Sequence, residues 1–189
     1  MNKEGLRNVA LSARLAMGEG EYQSRSAAIT SYFFSAFDLS FLKIIHTFLP
    51  APEKREPDIW PLIERIRRDF PHIRLTVPKV NGDVLQNFFF EGIHQLRKGA
   101  FGIQEPAQGI PVESEQIDLV LVPVLIGDLY GNRLGYGKGF YDRFLAECRK
   151  DCLKIGVSLL DTESEMLPAE PHDVRLNYLI TPEGVINFN

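Results

Sequence analysis

The sequence predicts an α/β fold built on an open, largely parallel sheet, and three observations carry that expectation. The run Ile117-Asp118-Leu119-Val120-Leu121-Val122-Pro123-Val124 shows little apolar/polar alternation, as in a strand covered by helices on both faces. Strand-like and helical stretches alternate along the chain. A glycine-rich loop follows that strongest strand and runs into a helix, at the carboxyl end of a strand where open α/β sheets usually bind ligands. With 189 residues, 44% of them hydrophobic, the chain is long enough to bury a substantial core, and we expect a single domain over 1–189.

Each element has its own local signal. Leu6, Val9, Leu11, Leu15 and Ala16 recur at helical spacing, and a second helix is expected over 21–37, with Ile29, Phe33 and Phe37 along one face. Residues 43–49 are rich in β-branched and aromatic side chains and stop at Pro50, as a buried strand would. Pro61 in a first turn, with Ile59, Leu62, Ile63 and Ile66 facing inward, predicts a helix over 58–70. Strands follow at 73–77 and 86–91, and the glycines and prolines of 98–111 predict a surface loop. Beyond 117–124, a helix over 140–150 and strands at 153–159 and 176–181 complete the sheet.

Composition excludes several function classes. A formal net charge of −4 argues against a chain whose main work is binding nucleic acid and favours a small-molecule partner. Cys148 and Cys152, four apart in an expected helix, fit reduced thiols better than a disulfide framework, and no His or Cys pair nearby completes a zinc site. The first residues lack the apolar core of a secretory signal and no stretch reaches the roughly 18 apolar residues of a membrane span, so a cytoplasmic location is expected.

The chemistry concentrates in Gly131-Asn132-Arg133-Leu134-Gly135-Tyr136-Gly137-Lys138-Gly139-Phe140-Tyr141-Asp142-Arg143, with four glycines, three cations and one carboxylate. Glycines at alternate positions let main-chain N–H groups approach an anion, and the following helix aims its positive end at the same place, so phosphate is the expected guest. The loop is neither the G-x4-G-K-[ST] phosphate loop, because Gly139 occupies the hydroxyl position, nor the dinucleotide fingerprint. Arg133 suits a bidentate phosphate contact, Lys138 a mobile positive charge and Asp142 a divalent cation.

Residues 133–142 resemble the signature of the 5-formyltetrahydrofolate cyclo-ligases, or methenyltetrahydrofolate synthetases. The resemblance extends to Lys3 and Arg7, Glu56-Pro57-Asp58, Val77-Pro78-Lys79-Val80, Phe101-Gly102-Ile103-Gln104-Glu105-Pro106 and Pro171-His172-Asp173, in the same order over nearly the whole chain. It implies a three-layer α/β/α fold, similar to sugar-phosphate isomerase and CoA-transferase domains. It also implies ATP as co-substrate, Mg2+ as cofactor, 5-formyltetrahydrofolate as substrate, no membrane or nucleic-acid partner, and a monomer or weak homodimer. In the implied reaction the γ-phosphoryl group passes to the formyl oxygen, N10 attacks the activated carbon, and phosphate leaves as the ring closes to 5,10-methenyltetrahydrofolate. Such transfer requires positioning and charge neutralisation more than a protein nucleophile.

Carried over position by position, the resemblance assigns Lys3, Arg7 and Arg133-Leu134-Gly135-Tyr136-Gly137-Lys138-Gly139-Phe140-Tyr141 to ATP, with Lys138 and Arg133 as the catalytic cations. Asp142 and Asp173 are the implied Mg2+ ligands. Leu49, Glu56 and Tyr136 to Phe140 border the folate, with Glu53 competing for the acidic role because the segment before Glu56 is longer than usual. Phe140 stands where many relatives carry Tyr, so any role needing that hydroxyl is lost or has shifted to Tyr141. His46 reads as a hydrogen-bonded core residue, the Phe33-Phe34 and Phe88-Phe89-Phe90 groups as core, and Trp60 either flanks the pterin or covers the core. Two other classes remain: a sugar-phosphate or acyl-CoA enzyme on a similar fold, and a non-catalytic folate- or nucleotide-binding module.

Overall fold

The structure, a computed structural model, describes residues 1–189 except for the side chain at position 100. Helix α1 (Lys3–Leu15) starts where the Asn2 side chain accepts a hydrogen bond from the Gly5 amide at 2.8 Å, and α2 (Glu19–Ala36) follows directly. After β1 (Ile44–His46), helix α3 (Trp60–Asp69) has Pro61 in its first turn and the Asp58 carboxylate accepting from the Trp60 amide at 3.1 Å. Strands β2 (Arg74–Asn81) and β3 (Val84–Phe89) meet at a two-residue Gly82-Asp83 turn, where Gly82 takes φ +60°.

The stretch expected to be one surface loop is more ordered than that. It contains a small antiparallel hairpin, β4 (Leu96–Lys98) with β5 (Gln104–Pro106), and then β6 (Pro111–Val112), which pairs with β3. The prolines sit at the ends of these short strands, where the ladder does not need their missing N–H. Next come β7 (Leu119–Pro123), a two-stranded ribbon of β8 (Ile126–Gly127) and β9 (Arg133–Leu134), and helix α4 (Phe140–Glu147). Strands β10 (Leu153–Val157), β11 (Tyr178–Thr181) and β12 (Gly184–Asn187) close the chain.

Eight strands form the main sheet in the order β12-β11-β10-β7-β1-β2-β3-β6. The run from β11 to β2 is parallel, with antiparallel strands added at both sides. From β1 the chain proceeds to β2 on one side, and from β7 to β10 on the other, so the order reverses between β1 and β7. That reversal leaves a crevice beyond the strands' carboxyl ends.

The layers follow from side-chain alternation along β7. Leu119 and Leu121 pack into a core with Ile29 and Phe33 of α2 and Leu62, Ile63 and Ile66 of α3, whereas Val120 and Val122 pack with Phe144 and Leu145 of α4. This is the three-layer α/β/α arrangement. Trp60 and the Phe33-Phe34 pair belong to the first core, so Trp60 covers it. Cys148 and Cys152 lie past the last turn of α4, not within a helix, and both are free thiols on the α4 side of the sheet.

Helix α1 departs most from its sequence pattern. Val9 and Leu15 are exposed, whereas Ala10 and Arg14 are buried. Leu6, Ala10 and Leu11 pack against Leu125, Ile126, Leu134 and Leu167, laying the helix along the loops that follow β7 rather than on the sheet. Among the described residues, no helix is long and apolar enough to cross a membrane.

Candidate active site

A cavity of about 770 Å³ opens at the β1/β7 reversal, within the range of ordinary small-molecule sites. Phe48 and Leu49 from beyond β1, Pro78 and Val80 from β2, Pro123 at the end of β7, the glycine-rich loop, and the α1 N-terminus all line it. All fifteen residues that the sequence singled out, from Lys3 to Asp173, converge on this one space. Glu53 does not line it. Of the two acids, only Glu56 lines the cavity.

Two backbone features shape the glycine loop. Gly137 adopts φ +83° and Gly139 φ +70°, a left-handed region that costs an L-residue roughly 1 kcal/mol or more. At Gly137 a Cβ would also come 3.1 Å from the Arg7 guanidinium carbon. Arg7 donates through Nε to the Gly135 carbonyl at 3.0 Å, tying α1 to the loop. Gly139 is the N-cap of α4 and offers no side-chain cap, so the first-turn amides of α4 are left to the cavity or to solvent. Arg143, one of the three loop cations, braces the loop from outside, donating to the Lys138 carbonyl at 2.8 Å and the Asp83 carbonyl at 2.7 Å. Among the described residues, the Lys138 ammonium has no ion-pair or hydrogen-bond partner and lies 5.8 Å from the Phe101 ring centroid.

The other cations are matched to carboxylates. Lys3 Nζ is 2.7 Å from Asp173 Oδ2 and 3.2 Å from Glu170 Oε1. Burial alone would pull the Asp173 carboxyl upward, but the Lys3 ammonium and the Glu170 amide outweigh it and hold Asp173 below its ordinary value. Arg133, nearly buried, donates to Asp142 Oδ1 at 2.8 Å and to the Val174 carbonyl. The Val174 amide donates to the same Asp142 oxygen at 3.0 Å. Each carboxylate thus has one oxygen fully engaged by the protein and another more open.

Away from these ion pairs the site is drier. Glu56 is 4% exposed and accepts from the Ala51 amide at 2.7 Å. Burial raises its carboxyl above the ordinary range, against the opposing pull of that amide, Arg14, Tyr136 and Lys54. Tyr136 lies beside it with the Lys54 ammonium 4.1 Å from its ring centroid. Beneath the cavity, His46 Nε2 and the Tyr141 hydroxyl are 3.1 Å apart. Burial drives the imidazole down to about 3 while neighbouring Asn87 acts in the opposite sense, so His46 is a neutral core residue at physiological pH. Phe101, 57% exposed at φ +57°, leans toward Phe140 at a 6.3 Å ring separation, and the strand after it brings Glu105 to accept from the Val80 amide at 3.1 Å.

A sequence profile described as the 5-formyltetrahydrofolate cyclo-ligase family matches residues 1–182. The chain belongs to that family. A 5-formyltetrahydrofolate cyclo-ligase of Escherichia coli strain K12 is 30% identical over 136 residues, covering 69% of this chain and 74% of the relative. The cyclo-ligase of Mycolicibacterium smegmatis is 41% identical over 89 residues, a match spanning 46% of each protein, so the aligned stretch is about half that relative's length. Among solved structures, a 5,10-methenyltetrahydrofolate synthetase of Aquifex aeolicus superposes with TM-score 0.86 at 32% identity, covering 100% of this chain and 94% of its own. A second synthetase, from Mycoplasma pneumoniae, gives TM-score 0.76 at 25% identity over 96% and 99% of the two chains.

Three residues in or beside this site were not singled out from the sequence. Asp128, fully buried, accepts from the amides of Tyr130, Asn132 and Leu167 and from Asn132 Nδ2 at 2.7–2.9 Å, which fixes the turn leading into Arg133. An Asp four residues before an Asn in a Gly-containing turn was its available signal. Phe101 was read only as part of a motif. Arg14 was not singled out at all.

Proposed function

We propose that the protein catalyses the ATP-dependent conversion of 5-formyltetrahydrofolate to 5,10-methenyltetrahydrofolate. The observation that carries this reading is one continuous cavity that joins a helix N-terminus without a side-chain cap and a Lys138 unpaired among the described residues to the buried carboxylate of Glu56. A triphosphate and a reduced pterin need those two kinds of environment side by side. The first-turn amides of α4, Lys138 and Arg7 suit the phosphates, and at Gly135 a Cβ would meet nothing, leaving space for them. Glu56 suits the amino and ring N–H donors of a pterin, and Leu49, Phe48 and Phe140 its apolar faces.

A divalent cation fits the same residues. Asp142 retains Oδ2 without a protein donor among the described residues, and Asp173 Oδ1 has only His172 Nε2 at 3.6 Å. Both carboxylates line the cavity, and two ligands suffice for Mg2+, which keeps most of its waters. Bound there, it would neutralise phosphate charge.

The protein's own part is chiefly electrostatic. Lys138 stabilises the moving phosphoryl group as the γ-phosphorus–oxygen bond to ADP breaks and a bond to the formyl oxygen forms. N10 then attacks that carbon, its proton is lost, and the carbon–oxygen bond breaks with departure of phosphate. Arg133 holds Asp142 in place. The test is absorbance at the methenyl product's band in mixtures of protein, 5-formyltetrahydrofolate, ATP and Mg2+. Product is expected only when all four are present; formation without ATP, or none at all, overturns the reading.

A further inference from the structure

Arg14 is the largest fully buried side chain outside the hydrophobic cores, 1% exposed, and it lies at the last turn of the helix that carries Lys3 and Arg7. Arg14 lies eleven positions beyond Lys3, about 16 Å along an α-helix. A buried guanidinium is retained at a large desolvation cost unless its N–H groups and charge are matched. Here one N–H is directed at the Tyr136 hydroxyl, while Nε has no partner among the described residues. The Tyr136 hydroxyl in turn faces the Glu56 carboxylate, and burial beside that carboxylate pushes the phenol well above its ordinary value. Arg14 itself does not line the cavity, whereas Tyr136 and Glu56 do.

We propose that Arg14 is a positioning residue for the folate end of the site: its guanidinium, from behind the wall, orients the Tyr136 hydroxyl and thereby the Glu56 carboxylate that receives the substrate's N–H edge. The inference rests on the proposed reaction and deepens it. With its oxygen accepting from Arg14, the Tyr136 O–H is free to turn toward Glu56, whose Oε2 is already held by the Ala51 amide. The carboxylate is then fixed in plane before substrate arrives, which reduces the ordering cost of binding. The charge matters as well as the fork. Glu56 is faced by Arg14 from α1, Lys54 and the Ala51 amide from the 51–56 turn, Tyr136 from the glycine loop and Tyr141 from α4, while Tyr22 of α2 donates to the Glu56 carbonyl at 2.8 Å. Removing Arg14 takes away one of only two cations in that set. The Glu56 carboxyl then rises further, and substrate capture fails at a higher pH.

The experiment compares wild type, R14M, R14K, Y136F and R14M/Y136F in steady-state turnover across pH 5 to 9. For R14M, kcat/KM for 5-formyltetrahydrofolate is expected to fall about tenfold or more while KM for ATP moves less than about threefold. Its acid limb moves to higher pH, and R14K restores the limb without restoring the full affinity. If Arg14 acts through the phenol, R14M/Y136F is no worse than the weaker single variant by more than about twofold, the signature of coupled positions. Where R14M fails to fold, Y136F, which deletes one oxygen, decides the question through the same loss in folate kcat/KM. Wild type without product overturns the proposed reaction and this inference with it. Wild type that turns over, with R14M and Y136F both unchanged in folate kcat/KM or strictly additive, overturns the role of Arg14 alone.

Discussion

The two ends of the cavity solve the problem of holding charge in opposite ways. Near the α1 N-terminus, Lys3, Asp173, Arg133 and Asp142 form ion pairs on loops and helix ends, with Lys138 unpaired among the described residues and exposed. Near the α1 C-terminus, the buried Arg14 and Glu56 flank the half-buried Tyr136, whose hydroxyl accepts from Arg14. Both pairs are only part-exposed, yet each carboxylate keeps one oxygen more open than the other, so a cation could join them without dismantling the pairs. A buried network is costly to rearrange and holds one geometry, which suits recognition of a fixed hydrogen-bond pattern.

That contrast can be broken at three places. The largest effect is expected for Lys138→Ala, where kcat falls roughly 10²–10³-fold through loss of transition-state charge stabilisation. Thermal unfolding should stay unchanged, because the exposed ammonium has no ion-pair or hydrogen-bond partner among the described residues; a matching loss of stability would show that Lys138 is structural. Glu56→Gln comes next, with KM for the folate rising about 10- to 100-fold, as for a lost charge-assisted hydrogen bond. Its stability effect has the other sign. A carboxyl raised by burial contributes stability below its unfolded value and loses it as pH rises through the folded value, so the variant gains relative stability toward neutral and alkaline pH. Unfolding curves at pH 4 and pH 8 read this, and a wild-type advantage that grows with pH would contradict it. The smallest effect is for Lys3→Met, about 1 kcal/mol or less in unfolding free energy, with a few-fold rise in KM for ATP that shrinks at high salt. Salt-independent loss would place Lys3 in the rigid part of the site instead.

Much of this molecule was legible in its residues, and the gaps have physical causes. The unalternating run at β7 disclosed a strand covered on both faces, and Leu119/Leu121 against Val120/Val122 bears that out. The glycine loop was legible because positive φ and close approach demand glycine, as Gly137 beside Arg7 shows. The β4–β5 hairpin was hidden because its three-residue strands are too short to show alternation, with Gly99 and Gly102 between them and Pro106 at the end. Helix α1 was legible as a helix but its buried face was not, because apolar periodicity assumes that a helix buries its greasy face. Positions 3, 7, 10 and 14, spaced by 4, 3 and 4, form the stripe that faces inward, and three of those four residues are cations. Arg133 was visible as a cation, but its engagement with Asp142 depends on a strand and a helix meeting in space.

The glycines also divide the chain's freedom to change. At Gly137 and Gly139 a methyl group would meet Arg7 or Arg143 in a backbone region closed to it, so these positions cannot be exchanged for rigidity. At Gly20, inside α2, a methyl group would meet nothing within 4 Å, and helix propensity favours alanine there. An engineer seeking a hardier protein is therefore directed to the first turn of the second helix, while the glycine loop keeps its glycines as a condition of its backbone path.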